Sequence, residues 1–168
     1  MADYYTPTVI RQTIPDADMT ALERILLSSI FTGEREGDAW YFFAEDSPSD
    51  MIWVARTELE TALAQSANVE SYATDFVRKV LQEAPPEDAE IEIDLSATSY
   101  EFFLQDIVKR SAALSKITVV SAFTCSRMRA DGFGGMAVLI TRASIKGKST
   151  HDIIEDFLAE EGLEGAQI

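Results

Sequence analysis

The stretch Glu90-Ile91-Glu92-Ile93-Asp94-Leu95, followed by Thr98-Ser99-Tyr100-Glu101, decides the fold. Its first six residues alternate acid and apolar side chains with a period of two. That is the pattern of a strand with one face in the core and one in water. The second four residues form a capping box. The Thr hydroxyl accepts a free helix N–H, and the Glu carboxylate accepts another. Phe102, Phe103, Ile107 and Val108 then recur at helical spacing.

The same succession recurs on both sides of this stretch. Upstream, Thr8 to Ile14 is β-branched and reads as a strand, broken by Pro15-Asp-Ala-Asp18. Thr20-Ala-Leu-Glu23 is a capping box for a helix carrying Leu22, Ile25, Leu26 and Ile30. Gly33 and Gly37 then mark a polar loop. Trp40–Phe43 and Met51–Val54 read as two strands joined through a turn at Ser47–Asp50. Thr57-Glu-Leu-Glu60 opens a helix with Leu59 and Leu63. Asn68 caps a further helix with Tyr72, Phe76, Val80 and Leu81, and Pro85-Pro86 closes this part. Downstream, Ile117–Cys125 and Gly135–Thr141 are strands around the loop Asp131-Gly-Phe-Gly-Gly135. Ser149-Thr-His-Asp152 opens a last helix with Ile153, Ile154, Phe157 and Leu158.

The expected fold is therefore α+β, a single domain over residues 1–168. A largely antiparallel sheet of about six strands should carry the helices on one face. Two halves, about 7–84 and 88–160, share the order β-α-β-β-α, and the first adds one helix. Their residue identity is poor, so an internal duplication rests on element order alone. The acidic tail from Glu160 to Ile168 is expected to fray.

Charge narrows the function classes. The 168 residues carry a net charge of −15. That excess disfavours general binding of nucleic acid or anionic membrane, since both attract cations. No apolar run approaches the roughly 20 residues of a membrane span. The first residues lack the basic start and apolar core of a secretory signal. Cys125 is the only cysteine, so no internal disulfide forms, which fits a reducing, cytoplasmic setting. The charge is uneven, however. Residues 107–150 hold eight cations and one acid, Asp131, for a net +7, leaving −22 for the remainder. The expectation is a basic patch on an acidic body.

The candidate binding residues fall in that segment: Arg127, Arg129, Phe133, Lys146, Lys148, Ser149 and His151. The hairpin Ser126–Gly135 offers two arginines, an aromatic and flexible glycines. Lys146, Lys148 and the start of the last helix offer cations and free N–H groups to an anion, with His151 beside them. Gly147-Lys-Ser-Thr150 resembles the end of a phosphate loop, but Arg142 stands where its first glycine belongs. A phosphatase-like cysteine loop would need arginine six residues after Cys125, and Asp131 stands there. Cys125 alternates with Ile117, Val119, Ser121 and Phe123, which marks a core thiol. One histidine and one cysteine at no ligand spacing predict no metal site and no cofactor. Trp40, Tyr41, Phe42, Phe43 and Trp53 cluster in one region. They predict core packing, with a homodimer or other partner surface as the competing reading.

No complete catalytic constellation emerges. The leading expectation is a non-catalytic binding or regulatory protein that works through protein contacts. Its acidic body would face a basic partner, or its basic hairpin an anionic one. Two alternatives stand beside it: a nucleic-acid mimic that inhibits a DNA-handling enzyme, and an enzyme using Arg127, Arg129, Asp131 and His151.

Overall fold

The structure, a computed structural model, describes residues 1–163 and 165. Its strands are β1 (Tyr4–Tyr5), β2 (Thr8–Ile10), β3 (Ile14–Pro15), β4 (Thr32–Glu36), β5 (Ala39–Ala44), β6 (Met51–Ala55), β7 (Glu90–Asp94), β8 (Lys116–Cys125), β9 (Gly134–Thr141) and β10 (Ile145–Ser149). Its helices are α1 (Ala21–Ile30), α2 (Arg56–Gln65), α3 (Tyr72–Glu83), α4 (Tyr100–Arg110) and α5 (Thr150–Glu160). The expected fraying of 160–168 falls partly on residues 164 and 166–168, which lie outside the described residues.

The main sheet is antiparallel throughout and six lanes wide. Its lanes run β10, β9, β8, then β1, β2 and β3 in succession, then β5 and β4. Alternation sends Ile10, Phe42, Ile117, Val119, Val138 and Ile140 to one face, where all are buried. α1 and α4 pack on that face. The α+β architecture is the one that periodicity predicted.

Two pairings differ from expectation. Trp40–Phe43 does not form a hairpin with Met51–Val54. β5 turns instead on β4 through Gly37, whose φ of 62° suits a residue without a side chain. β4 reads Thr-Gly-Glu-Arg-Glu and hides in the sequence because it is an edge strand with mostly exposed residues. The link after β5 is pinned elsewhere, by the Ser49 N–H on the Ile30 carbonyl and the Thr6 N–H on the Asp46 carbonyl. β6 therefore leaves the main sheet and pairs with β7 in a separate two-stranded ribbon. Ile52, Val54, Ile91 and Ile93 give that ribbon one buried face. The two proposed halves thus place their first strands differently: β2 lies central in the sheet, β7 outside it.

Capping also differs in part. The boxes at Thr20/Glu23 and Ser149/Asp152 form as read. α2 instead starts at Arg56 with no side-chain cap. Ser99 and not Thr98 caps α4, and Ser71 and not Asn68 caps α3. The core remains one cluster, drawing on both halves and on the ribbon. α5 lies outside it, with Ile153, Ile154 and Phe157 exposed.

Candidate functional site

The cations of residues 107–150 do not form one free patch. Lys109 pairs with Asp106, Arg110 with Glu23, Arg129 with Asp131 and Lys148 with Asp156. Arg142 donates to the carbonyls of Val108 and Ser111 at the end of α4, where cations offset the helix dipole. Four of the eight cations thus have a carboxylate partner; Asp106, Asp131 and Asp156 are near in sequence, and Glu23 is distant.

The tip between β8 and β9 holds three of the candidate residues. Arg129 Nε lies 3.2 Å from Asp131 Oδ1. That hydrogen bond holds the Asp131 carboxyl below its usual range and raises Arg129. Phe133 is 47% exposed, and Met128 beside this pair is 90% exposed. Gly132 is buried under the tip. A Cβ there would lie 2.5 Å from the Cβ of Cys125, which is itself half-buried.

The start of α5 is filled from within the chain. Asp152 accepts from the Ser149 N–H and the Ser149 hydroxyl, each at 2.7 Å. Ser149 Oγ accepts from the Asp152 N–H at 3.1 Å. The hydrogen bonds from Ser149 hold the Asp152 carboxyl below its usual range. An incoming anion would have to displace this carboxylate. His151 Nε2 stands 3.9 Å from Glu155. Lys146 and Lys148 point from β10 to the sheet face opposite α1 and α4, and Lys148 is held by Asp156. Among the described residues, no hydrogen bond or ion pair joins His151 to Arg127, Arg129 or Asp131. Within that alternative set, Arg129 pairs with Asp131 while His151 faces Glu155. Among the described residues, no group of three or more His, Cys, Asp or Glu is placed to hold a metal.

A further concavity lies elsewhere. A groove of about 700 Å³ runs between α3 and β7. Tyr72, Phe76 and Val80 line it from α3, and Ile91 and Ile93 from β7. The Tyr72 and Phe76 rings stack, 6.4 Å apart and tilted by 8°. Tyr72 is fixed at both ends: its N–H donates to Asp106 and its hydroxyl hydrogen-bonds Thr98. Asp75, Glu83, Asp88, Glu92 and Asp94 surround this floor, with Lys79 the one cation among the lining residues.

The backbone of β7 completes the groove. The Leu95 N–H bonds the Asp50 carbonyl, and the Arg56 N–H bonds the Ala89 carbonyl. Residues 89, 91, 93 and 95 thus direct their backbone groups to β6. Those of Glu90, Glu92 and Asp94 point the other way, to an edge that pairs with no strand among the described residues. An unpaired edge beside an apolar floor can accept another strand. The sequence marked Tyr72, Phe76 and Val80 as a helix's core face. Only the placement of β7 leaves them partly open.

Comparison with protein-family models, curated proteins and solved structures finds no match to this chain.

Proposed function

We propose that this is a non-catalytic binding protein that takes an extended polypeptide segment, rich in alternating cationic and apolar residues, into the α3–β7 groove. The observation that carries the reading is the free edge of β7 beside the aromatic floor of α3, ringed by five carboxylates and one ammonium. A strand added to β7 would satisfy the backbone groups of Glu90, Glu92 and Asp94. Its apolar side chains would lie on Phe76 and Val80, and its cations among the rim acids. The groove supports the acidic-body reading over the basic-hairpin one, because Arg129 of the hairpin and Lys148 of β10 already have carboxylate partners. The lone thiol, Cys125, supports work in a reducing, cytoplasmic compartment.

A soluble labelled peptide alternating Lys and Val tests this by fluorescence anisotropy. Binding should weaken with salt, and a matched Glu/Val peptide should not bind. Amide resonances of Glu90, Glu92 and Asp94 should shift on titration. No binding, or binding unchanged in Val80→Asp, would overturn the proposal. Displacement of the peptide by duplex DNA would count against it too, since a groove this acidic repels phosphates.

A further inference from the structure

The main sheet has a second face, turned away from α1 and α4; α5 stands against β9 and β10 through the Lys148–Asp156 pair, while Ala137 and Leu139 stay exposed. Strand alternation places Val9, Tyr41, Phe43, Val120, Ala137 and Leu139 there. Val9 is 37% exposed and Leu139 is 40% exposed. Tyr41 and Phe43 stack at 5.4 Å and stay half-buried only by each other and their neighbours. An apolar sheet face this broad is what two sheets bury when they pack.

The charges at its two edges differ in sign. β10 carries Lys146 and Lys148 on this face, while β4 carries Glu34 and Glu36. We infer that the face docks a second copy of the chain, sheet on sheet, about a two-fold axis parallel to the strands and midway between β8 and β2.

That operation reverses the lane order and keeps each row level. β8 then covers β2 of the second copy, β9 covers its β5 and β10 covers its β4. Register fixes the consequences. Val120 pairs with Val9 in the sheet and Ala137 with Val120, while Phe43 pairs with Val9, so all four share one row. Val120 therefore meets Val9 of the second copy, and small Ala137 meets large Phe43. Leu139 and Lys146 share the next row with Tyr41 and Glu34. Leu139 thus meets Tyr41, and Lys146 meets Glu34. An axis perpendicular to the strands would instead set β10 over β10 and lysine over lysine. Charge selects the first axis.

Area and net charge agree. Six lanes of about 4.8 Å and five residues of about 3.4 Å give a footprint of roughly 500 Å². Pleated, side-chain-bearing surface exceeds its footprint, which approaches the roughly 800 Å² per partner of a standard interface. A chain of net −15 repels its own copy over most of its surface. This face differs, because Arg11, Lys116, Lys146 and Lys148 stand on it against Glu34, Glu36 and the Asp156 that holds Lys148. The inference is independent of the groove, so either reading can fail alone.

Sedimentation equilibrium tests it. Wild type should run at twice its 18.6 kDa. Leu139→Glu, at an exposed position, should be a monomer with unchanged circular dichroism. Lys146→Glu and Glu34→Lys should each weaken the dimer about tenfold, since each pair occurs twice about the axis. Combined, they should restore it to near wild-type strength. The two residues sit on opposite edges of one sheet, so rescue can arise only between copies. A wild-type monomer at 100-micromolar order, a dimer indifferent to Leu139→Glu, or no rescue in the double variant would each overturn the inference.

Discussion

Arg110, in the last turn of α4, donates from Nη2 to Glu23 Oε2 in the first turn of α1, 2.5 Å away and 87 residues earlier in the chain. Glu23 is wholly buried and also accepts the Thr20 N–H. One carboxylate therefore closes the α1 capping box and ties the two helices beneath the main sheet. Ser111 reinforces the joint by donating to Asp18 at 2.5 Å. Removing Arg110 strands a buried carboxylate, whereas removing Glu23 frees a guanidinium that already reaches water. Arg110→Ala should cost about 3 kcal/mol. Glu23→Ala should cost less, about 1–2 kcal/mol. Urea denaturation of both variants measures the order.

Glu23 also sets a pH dependence. Burial pushes its carboxyl above the usual range, against the opposing pull of the Thr20 N–H and Arg110. A group raised in the folded state binds its proton more tightly there than in the unfolded chain. Its contribution is therefore whole below the unfolded carboxyl range and is lost as pH rises through the folded value. Glu23→Gln does not titrate. The stability gap between wild type and Glu23→Gln should thus be wider at pH 4 than at pH 7, read from denaturation at both. An equal gap would show that burial does not govern this carboxyl.

The β7 edge offers a backbone test of the groove. The Glu92 N–H points away from β6, so proline there removes no backbone bond of the ribbon, only the exposed bond that Trp53 Nε1–H donates to the Glu92 carboxylate. Glu92→Pro should leave the melting temperature within a few degrees of wild type. It should weaken the Lys/Val peptide about fivefold more than Glu92→Gln does, because the strand-to-strand donor is gone as well as the rim charge. Ile93→Pro is the contrast. It faces β6 and should destabilise the fold itself.

Gly132 predicts a purely structural defect. Any Cβ at this position meets Cys125 at 2.5 Å and its sulfur at 3.2 Å. Gly132→Ala should cost about 1–2 kcal/mol through overpacking. It should lower the melting temperature by several degrees. Peptide binding in the distant groove should be unaffected.

The fold was legible wherever one side of an element faced the core. Glu90–Leu95 alternates because its odd and even residues meet different media, and the structure keeps that strand to within a residue. Leu22, Leu26 and Ile30 made α1 plain for the same reason. β4 was not legible, since an edge strand of exposed Thr, Glu and Arg lacks that contrast. The partner of β6 was not legible either. Apolar alternation announces a strand but does not say which neighbour it pairs with, and here loop anchors at Ile30 and Asp46 decide that. Charge counting along the chain saw the surplus of cations in residues 107–150 but could not see Asp156 beside Lys148 or Glu23 beside Arg110. The groove needed two elements from different stretches, so no local motif marked it.

The acids along β7 have a further effect. Exposed strand edges invite runaway fibrous self-assembly. Two such ribbons laid edge to edge would set the side chains of Glu90, Glu92 and Asp94 against their own kind. That like-charge penalty guards the chain against stacking into filaments while leaving the gap open to a cationic guest. The same carboxylates thereby serve as gatekeepers against aggregation, and replacing all three with uncharged residues should raise the turbidity of a concentrated solution.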